Sequence, residues 1–173
     1  MSLQAINALN AKMAELRKQF QTEGQELFRG ALTELFDKHP KLESVTLGGY
    51  VDYFNDGDEC RFSMREYLTK VNGASVDSYG DDEGPNQVSK TIYGKTGETK
   101  MVKSWGSNQM EEQAVYGYVP NPDYDPELAE AFEEFQSILN ATDETLMQDM
   151  FGSHFKVTAT REGMEVEEYT DHE

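Results

Sequence analysis

The chain has 173 residues, a formal net charge of -18 and one cysteine. This length can bury a sizeable core without disulfides, and a lone cysteine excludes an intramolecular disulfide and favours a reducing compartment. No stretch approaches the roughly 18 apolar residues that span a bilayer, and residues 1–16 lack a secretory signal pattern. We therefore expect a cytoplasmic protein that does not contact membranes.

The acidic excess is unevenly distributed along the chain. Residues 1–104 hold 16 acids and 13 bases, whereas residues 105–173 hold 17 acids and only two bases, Lys156 and Arg161. A field of this sign repels nucleic acid and anionic lipid and attracts basic partners. Two interpretations stay open at this point: the acidity forms a recognition surface, or it serves solubility alone.

A long helix is predicted over residues 3–38, ended by His39-Pro40 because the residue before proline avoids helical geometry. Its first half has a heptad seam that Glu23 interrupts, formed by Ile6, Leu9, Met13, Leu16 and Phe20. About 36 residues span roughly 54 Å, more than the roughly 40 Å diameter of a domain this size. Either the helix breaks near Gly24 and wraps on its own core, or residues 1–27 protrude. We expect the second, with the seam forming a homodimer.

Period-two alternation predicts two β-hairpins. Residues 45–53 and 60–64 flank a turn at 55–58, and residues 155–159 and 164–166 flank a turn at 161–163. Gly48-Gly49 indicates a bulge or a close backbone approach. Asp125-Pro126 predicts the start of a helix, and a second short helix is predicted between Thr142 as its cap and Gly152.

The predicted fold class is α+β. The long N-terminal helix precedes two antiparallel hairpins that form a sheet of at least four strands, with two further helices packed on it. Residues 28–173 are predicted to be a single domain with an irregular insertion at 72–125. Within that insertion only short strand-like pieces are predicted, at 88–93, 100–105 and 114–119.

The sequence offers no catalytic, metal or cofactor motif. Cys60 alternates with Phe62 and Met64, so we expect it to point into the core, and one cysteine with three scattered histidines does not supply a zinc site. The acidic turn after Asp52 differs from a calcium loop because its glycine comes too early. The only base-rich stretch with an aromatic, residues 90–105, is too thin for direct nucleic-acid binding. We predict a protein without enzymatic activity.

Recognition of another protein is the function that these exclusions leave. Clustered carboxylates can mimic nucleic-acid phosphates and occupy a basic cleft. The candidate partner-binding residues are Glu127, Glu130, Glu133, Glu134, Glu165, Glu167, Glu168 and Asp171. The alternative is an oligomeric structural or accessory protein that assembles through the N-terminal helix, with acidity serving solubility only.

The first hairpin also carries a resemblance. Tyr50-Val51-Asp52-Tyr53-Phe54-Asn55-Asp56-Gly57 followed by Cys60-Arg61-Phe62 resembles a string found in small uncharacterised proteins of bacteriophages and bacteria, and the stretch 155–169 is similar too. The resemblance covers about a third of the chain and implies no activity or functional residue. It implies a phage or bacterial source, and for a phage protein it favours an inhibitor acting in the host cytoplasm on a basic host protein.

Overall fold

The computed structural model describes residues 3–52, 57, 59–76, 86–104 and 109–169. It confirms the α+β class. The described elements are α1 (Leu3–Lys38), β1 (Ser44–Val51), β2 (Phe62–Met64), a 3-10 turn (Glu66–Leu68), β3 (Lys70–Val71), β4 (Ala74–Ser75), β5 (Thr91–Lys103), β6 (Met110–Pro120), α2 (Pro126–Ala141), α3 (Glu144–Phe151), β7 (His154–Thr160) and β8 (Gly163–Glu168).

The helix α1 is continuous through Gly24. Residues 3–23 are all exposed, and burial begins at Gly24 and Gln25. Gly24 does not break the helix. It lets α1 approach α3 closely, since a Cβ there would lie 2.7 Å from the Met150 sulfur. Phe28, Leu32, Leu35 and Phe36 of the second half are buried.

The main sheet is antiparallel, with strand order β4-β3-β1-β7-β8 and with β2 also paired to β1. Strand β1 is central. It pairs with β7 from Ser44↔Thr160 to Tyr50↔His154, and its other edge holds β3 and then β2. Strand β8 lies at the sheet edge beside β7. Both predicted hairpins are therefore present as antiparallel pairs, although most of the turn at 55–58 lies outside the described residues.

Gly48 and Gly49 mark a close approach rather than a bulge, because the pairing of β1 with β7 continues through both without a shift. A Cβ on Gly48 would lie 2.6 Å from the Leu68 Cδ1 atom and 3.0 Å from the backbone oxygen of Phe155. These two glycines let the 3-10 turn and the neighbouring strands lie directly against β1.

Replacing Gly48 with alanine should lower the free energy of unfolding by about 1–3 kcal/mol, because the added methyl group overpacks against a strand backbone that cannot yield. Gly30 provides a matched control, since nothing lies within 4 Å of a Cβ there and the residue is in α1. Gly30→Ala should instead raise stability by about 0.5–1 kcal/mol. Urea unfolding of both variants checks the opposite signs, and equal effects would contradict this account of Gly48.

The interval 72–125, predicted to be irregular, mainly holds a regular ribbon of two long antiparallel strands. Strands β5 and β6 pair from Thr91↔Pro120 to Lys103↔Met110, with a register shift between Lys95 and Thr99. The shift, together with Gly94, Gly97 and Gly117, interrupts the alternation that would otherwise have predicted the strands. The three strand-like pieces at 88–93, 100–105 and 114–119 overlap this ribbon.

The helices α2 and α3 follow as predicted, with one change at their junction. Asp125 caps α2 by accepting hydrogen bonds from the backbone amides of Glu127 and Leu128. Thr142 was predicted to cap α3, but it ends α2, and the Asp143 carboxylate is the cap, accepting from the amides of Thr145 and Leu146. Both residue types are good N-caps, so the sequence did not separate them. Gly152 ends α3 with a positive φ of 98°.

One hydrophobic cluster joins these helices to the sheet. It contains the buried face of α1, Leu128, Ala131 and Phe135 of α2, Met147, Met150 and Phe151 of α3, and the inward residues of β1 and β7. Phe151 contacts Phe155 of β7, with ring centroids 5.1 Å apart. Helix α2 packs against α1. The second half of α1, the helices α2 and α3 and the main sheet therefore share a common core, whereas the first half of α1 and the strands β5 and β6 contribute no residue to it.

Candidate protein-interaction surfaces

We call residues 3–23 the arm. Its seam residues are exposed to 44% (Ile6), 62% (Leu9), 47% (Met13), 39% (Leu16) and 61% (Phe20). Apolar side chains at heptad spacing stabilise a helix only when a partner covers them, so this spacing indicates a binding surface. All five predicted oligomerisation residues thus form one continuous apolar stripe on a helix that the rest of the described chain leaves uncovered.

The arm is rigidly rooted at its C-terminal end. The Gln25 side-chain amide donates a 2.6 Å hydrogen bond to the backbone oxygen of Met150, and Phe28 packs edge-to-face on Phe151 with centroids 5.7 Å apart. Because the helix continues without interruption from this root, the direction of the arm is set by α1 and α3. The seam is therefore presented as one continuous apolar stripe along α1.

Charge separates the arm and the ribbon from the rest of the molecule. The arm has Lys12, Arg17 and Lys18 against Glu15 and Glu23, and the ribbon strands have three lysines against three glutamates. The other residues hold 9 Lys and Arg against 28 Asp and Glu. We call the chain from Gly24 onward the body. Its ribbon is neutral, and nearly all of the acidity lies in its remaining residues.

The ribbon is a second exposed surface. One of its faces presents Tyr93, Met101, Met110, Tyr116 and Tyr118, each between 44% and 61% exposed. Tyr93 stacks on Tyr116 and meets Tyr118 edge-on. Such aromatic cross-strand contacts stabilise the pair of strands, so the exposed tyrosines already have a structural role within the ribbon.

Two buried asparagines fix the base of the ribbon. The Asn121 side-chain amide donates to the backbone oxygens of Asn86 and Ser89, at 2.5 and 2.8 Å. The Asn86 amide donates to the oxygen of Val76 at 2.8 Å. These bonds satisfy backbone groups that the change of chain direction would otherwise leave unpaired.

The predicted acidic residues of α2 are only partly free. Glu134 forms an ion pair with Lys38 and a 3.0 Å hydrogen bond with His39, and Glu127 contacts Lys41 at 3.3 Å. The hydrogen bond from Lys38, and then that from His39, lowers the pKa of Glu134. Two of the four helix glutamates therefore contact the end of α1 and the residues that follow it. Glu130 and Glu133 are exposed, and the charge of Glu130 helps to raise the pKa of Lys38.

The acidic residues of β8 are on a different element. Glu165, Glu167 and Glu168 are exposed on the edge strand, with Lys156 3.6 Å from Glu167. Asp171 lies outside the described residues. The candidate partner-binding residues therefore belong to two separate elements, α2 and β8.

The stability that Asp125 contributes as the cap of α2 should depend on pH. The hydrogen bond from Lys41 lowers the pKa of Asp125 below that of an unfolded aspartate, and the amides of Glu127 and Leu128 contribute further. A lowered folded pKa adds stability that is present above the unfolded pKa of about 3.9 and is lost as pH falls through the folded value.

Asp125→Asn keeps a capping oxygen but removes this charge. The melting temperature of the variant should therefore lie below that of the unmodified protein at pH 7, and the difference should shrink as pH falls below about 4. Calorimetry of both proteins from pH 3 to 7 measures it. A difference that stays constant across this range would contradict the assignment.

A tyrosine cluster that the sequence did not single out covers the outer face of the sheet. The hydroxyls of Tyr50 and Tyr67 are 2.7 Å apart, and Tyr50 stacks on Tyr169. The Arg65 guanidinium lies 4.1 Å above the Tyr50 ring and 2.6 Å from Asp52. Burial, and then the bond to Tyr50, raise the pKa of Tyr67. The pairing of β1 with β2 brings Tyr50 and Arg65 together.

An open groove of about 420 Å³ lies between the 3-10 turn and the two later helices. Met64, Val76, Phe132, Leu139 and Met147 are among its apolar lining residues, and Asp143 and Glu144 lie in its wall. The Glu144 carboxylate accepts a hydrogen bond from the Met64 amide at 3.1 Å, and Asp143 caps α3, so both acids have structural partners.

Cys60 and the two described histidines, His39 and His154, have different surroundings in the structure. Cys60 precedes β2, is half-buried and does not belong to the core cluster, contrary to the expectation that it points inward. His39 contacts Glu134, and His154 contacts the backbone oxygen of Val51. His172 lies outside the described residues. Among the residues that the structure does describe, no group of three His, Cys, Asp or Glu is placed to hold a metal ion.

Neither the family models nor the curated proteins nor the solved structures contain a match to this chain. Of the helices in the described ranges, none combines the length and apolar composition that a bilayer crossing requires.

Proposed function

We propose that this protein acts without catalysis of its own, as an assembly protein that pairs two acidic bodies through the seam of the arm. The observation that carries the proposal is the uninterrupted exposed stripe from Ile6 to Phe20 on a helix whose root is fixed to the core. A second copy supplies a matching stripe, and two-fold pairing of the same patch is the commonest form of protein assembly.

The area of the seam suits a reversible dimer. Ten side chains, five from each copy, are each about half exposed, and full burial of such a residue contributes about 1.5–3 kcal/mol. Covering their exposed halves contributes roughly 7–15 kcal/mol in total. The cost of association is at least about 4 kcal/mol. Against this smallest cost the surplus is roughly 3–11 kcal/mol, a range that includes the about 7 kcal/mol of a dissociation constant on the order of 10 µM.

Light scattering on the full chain between about 1 and 200 µM brackets that constant and tests the proposal. We expect the mass to rise from 19.6 kDa towards twice that value. Because the contact is apolar, raising the salt concentration should leave the dimer intact or strengthen it. A mass of 19.6 kDa at every concentration would refute the proposal.

Recognition of a basic protein by the body is the second candidate. It is favoured by the exposed carboxylates of Glu130 and Glu133 and of Glu165 and Glu168, and by the strong excess of acids over bases outside the arm and the ribbon. It ranks below assembly because Glu127 and Glu134 are engaged within the chain and α2 and β8 are separate elements.

A capture experiment distinguishes the two candidates. A basic partner held by carboxylates should be released steeply between low salt and roughly 0.5 M salt, because screening shortens the range of charge attraction to a few ångströms. Self-association through the seam should survive that change. Capture of no protein, or only of proteins that salt does not release, would count against the second candidate.

A further inference from the structure

We infer that the two arms pack antiparallel, in a register that places Leu9 of one copy against Phe20 of the other and Met13 against Leu16. The inference rests on the proposed assembly through the seam and adds its geometry. It follows from three features of the described chain: the net charge of the body, the charges that flank the seam, and the polarity of α1.

Repulsion between the two bodies favours the antiparallel over the parallel arrangement. From Gly24 onward the chain has 12 bases and 31 acids, a net charge of -19 on each copy. Parallel arms would place the two roots side by side, at the helix separation of about 8–10 Å. In the antiparallel register the two Gly24 residues are separated by about 28 Å along the axis. That is more than three Debye lengths at physiological ionic strength, where one length is about 8 Å.

The residues beside the seam favour the same solution. In a parallel pair, Lys12 would face Arg17 of the partner, a like-charge contact at the positions that set orientation in coiled coils. In the antiparallel register, Lys12 faces Gln19 and Arg17 faces Asn10, and no like charges meet. Sliding the antiparallel pair by one heptad would bring Lys12 against Lys12 of the second copy. In the chosen register four apolar layers form without flanking repulsion, and Ile6 lies at the edge of the seam, opposite Glu23 of the partner.

The dipole of each helix adds an attraction at both ends of the antiparallel pair. Antiparallel packing places the N-terminal turn of each arm beside the root of the other copy. A helix N-terminus carries about half a positive charge, and it would lie next to a body of charge -19. Between these contacts the seam has four layers, because Leu9 against Phe20 and Met13 against Leu16 each occur twice in a symmetric pair. The partner covers the apolar stripe that each arm leaves exposed on its own.

Disulfide trapping tests orientation independently of dimer formation. Cys60→Ser removes the only cysteine, and single cysteines are then introduced as Leu9→Cys, Phe20→Cys and, as a control on the opposite helix face, Ala11→Cys. A disulfide needs Cα atoms within about 7 Å. Antiparallel packing brings position 9 to position 20, while two copies of position 9 are separated by about 16 Å along the axis.

Under mild oxidation, mixing the Leu9→Cys and Phe20→Cys proteins should give a mixed disulfide at least about tenfold faster than either protein alone or any mixture with Ala11→Cys. Rapid self-linking of Leu9→Cys would overturn the antiparallel arrangement while leaving dimerisation intact. A dimer by light scattering with no preferred pair would overturn this register. A monomer by light scattering would instead refute the proposed assembly itself.

Discussion

Replacing Leu32 with alanine should lower the free energy of unfolding by about 2.7–5 kcal/mol, the range for a leucine truncated in a well-packed core. Leu32 lies on the inner face of α1, is 2% exposed and belongs to the central cluster. Truncation removes its burial energy and leaves a cavity between elements that cannot close up. For a domain of this size, such a loss is a large part of the total stability.

Leu27 is the matched control because it lies on the same helix and is 77% exposed. Leu27→Ala makes the same change in side chain and in helix propensity but removes almost no buried area, so its effect should stay within about 0.5 kcal/mol. Urea unfolding at low protein concentration measures both. Similar losses for the two variants would contradict the placement of the core on one side of α1.

Introducing charge into the seam should abolish assembly. In Met13→Glu with Leu16→Glu, two layers of the interface would have to bury four carboxylates without partners, at a cost of several kcal/mol. We expect the dissociation constant to rise by more than about 100-fold, so that the variant stays monomeric up to about 200 µM. Far-UV circular dichroism should also show less helix, since an uncovered arm depends on marginal intrinsic helix stability.

The control for this variant adds the same charge on the opposite face of the arm. Gln4→Glu with Ala11→Glu changes two exposed positions that point away from the seam in either orientation. It should dimerise like the unmodified protein. Loss of the dimer in both variants would show that net charge on the arm, and not the apolar stripe, controls association. Retention in both would refute the role of the seam.

The sequence predicted the elements whose period was uninterrupted. The apolar stripe of α1, the alternation in β1 and β7, and the Asp125-Pro126 start of α2 all follow local rules, and the structure contains them. The ribbon was predicted only as three short strand-like pieces, because the shift between Lys95 and Thr99 breaks the alternation and three glycines imitate loop composition.

The candidate surfaces also differ in whether the sequence alone could predict them. The seam could be predicted because heptad spacing lies within one helix. The partners of Glu127 and Glu134 could not, since Lys38 and Lys41 meet them only through packing of α2 on α1. The tyrosine cluster likewise depends on residues from the 3-10 turn and the end of β8 converging on Tyr50. Long-range pairing decides which side chains become available for binding.

Hydrogen–deuterium exchange of residues 3–23 at about 1 µM and about 200 µM shows whether the seam is covered by a second copy, because it reports on the arm itself. Pairing of the seam should slow exchange throughout the arm at the higher concentration, with no change in the core helices, whose protection is set by global stability. Equally fast exchange of the arm at both concentrations would contradict assembly through the seam.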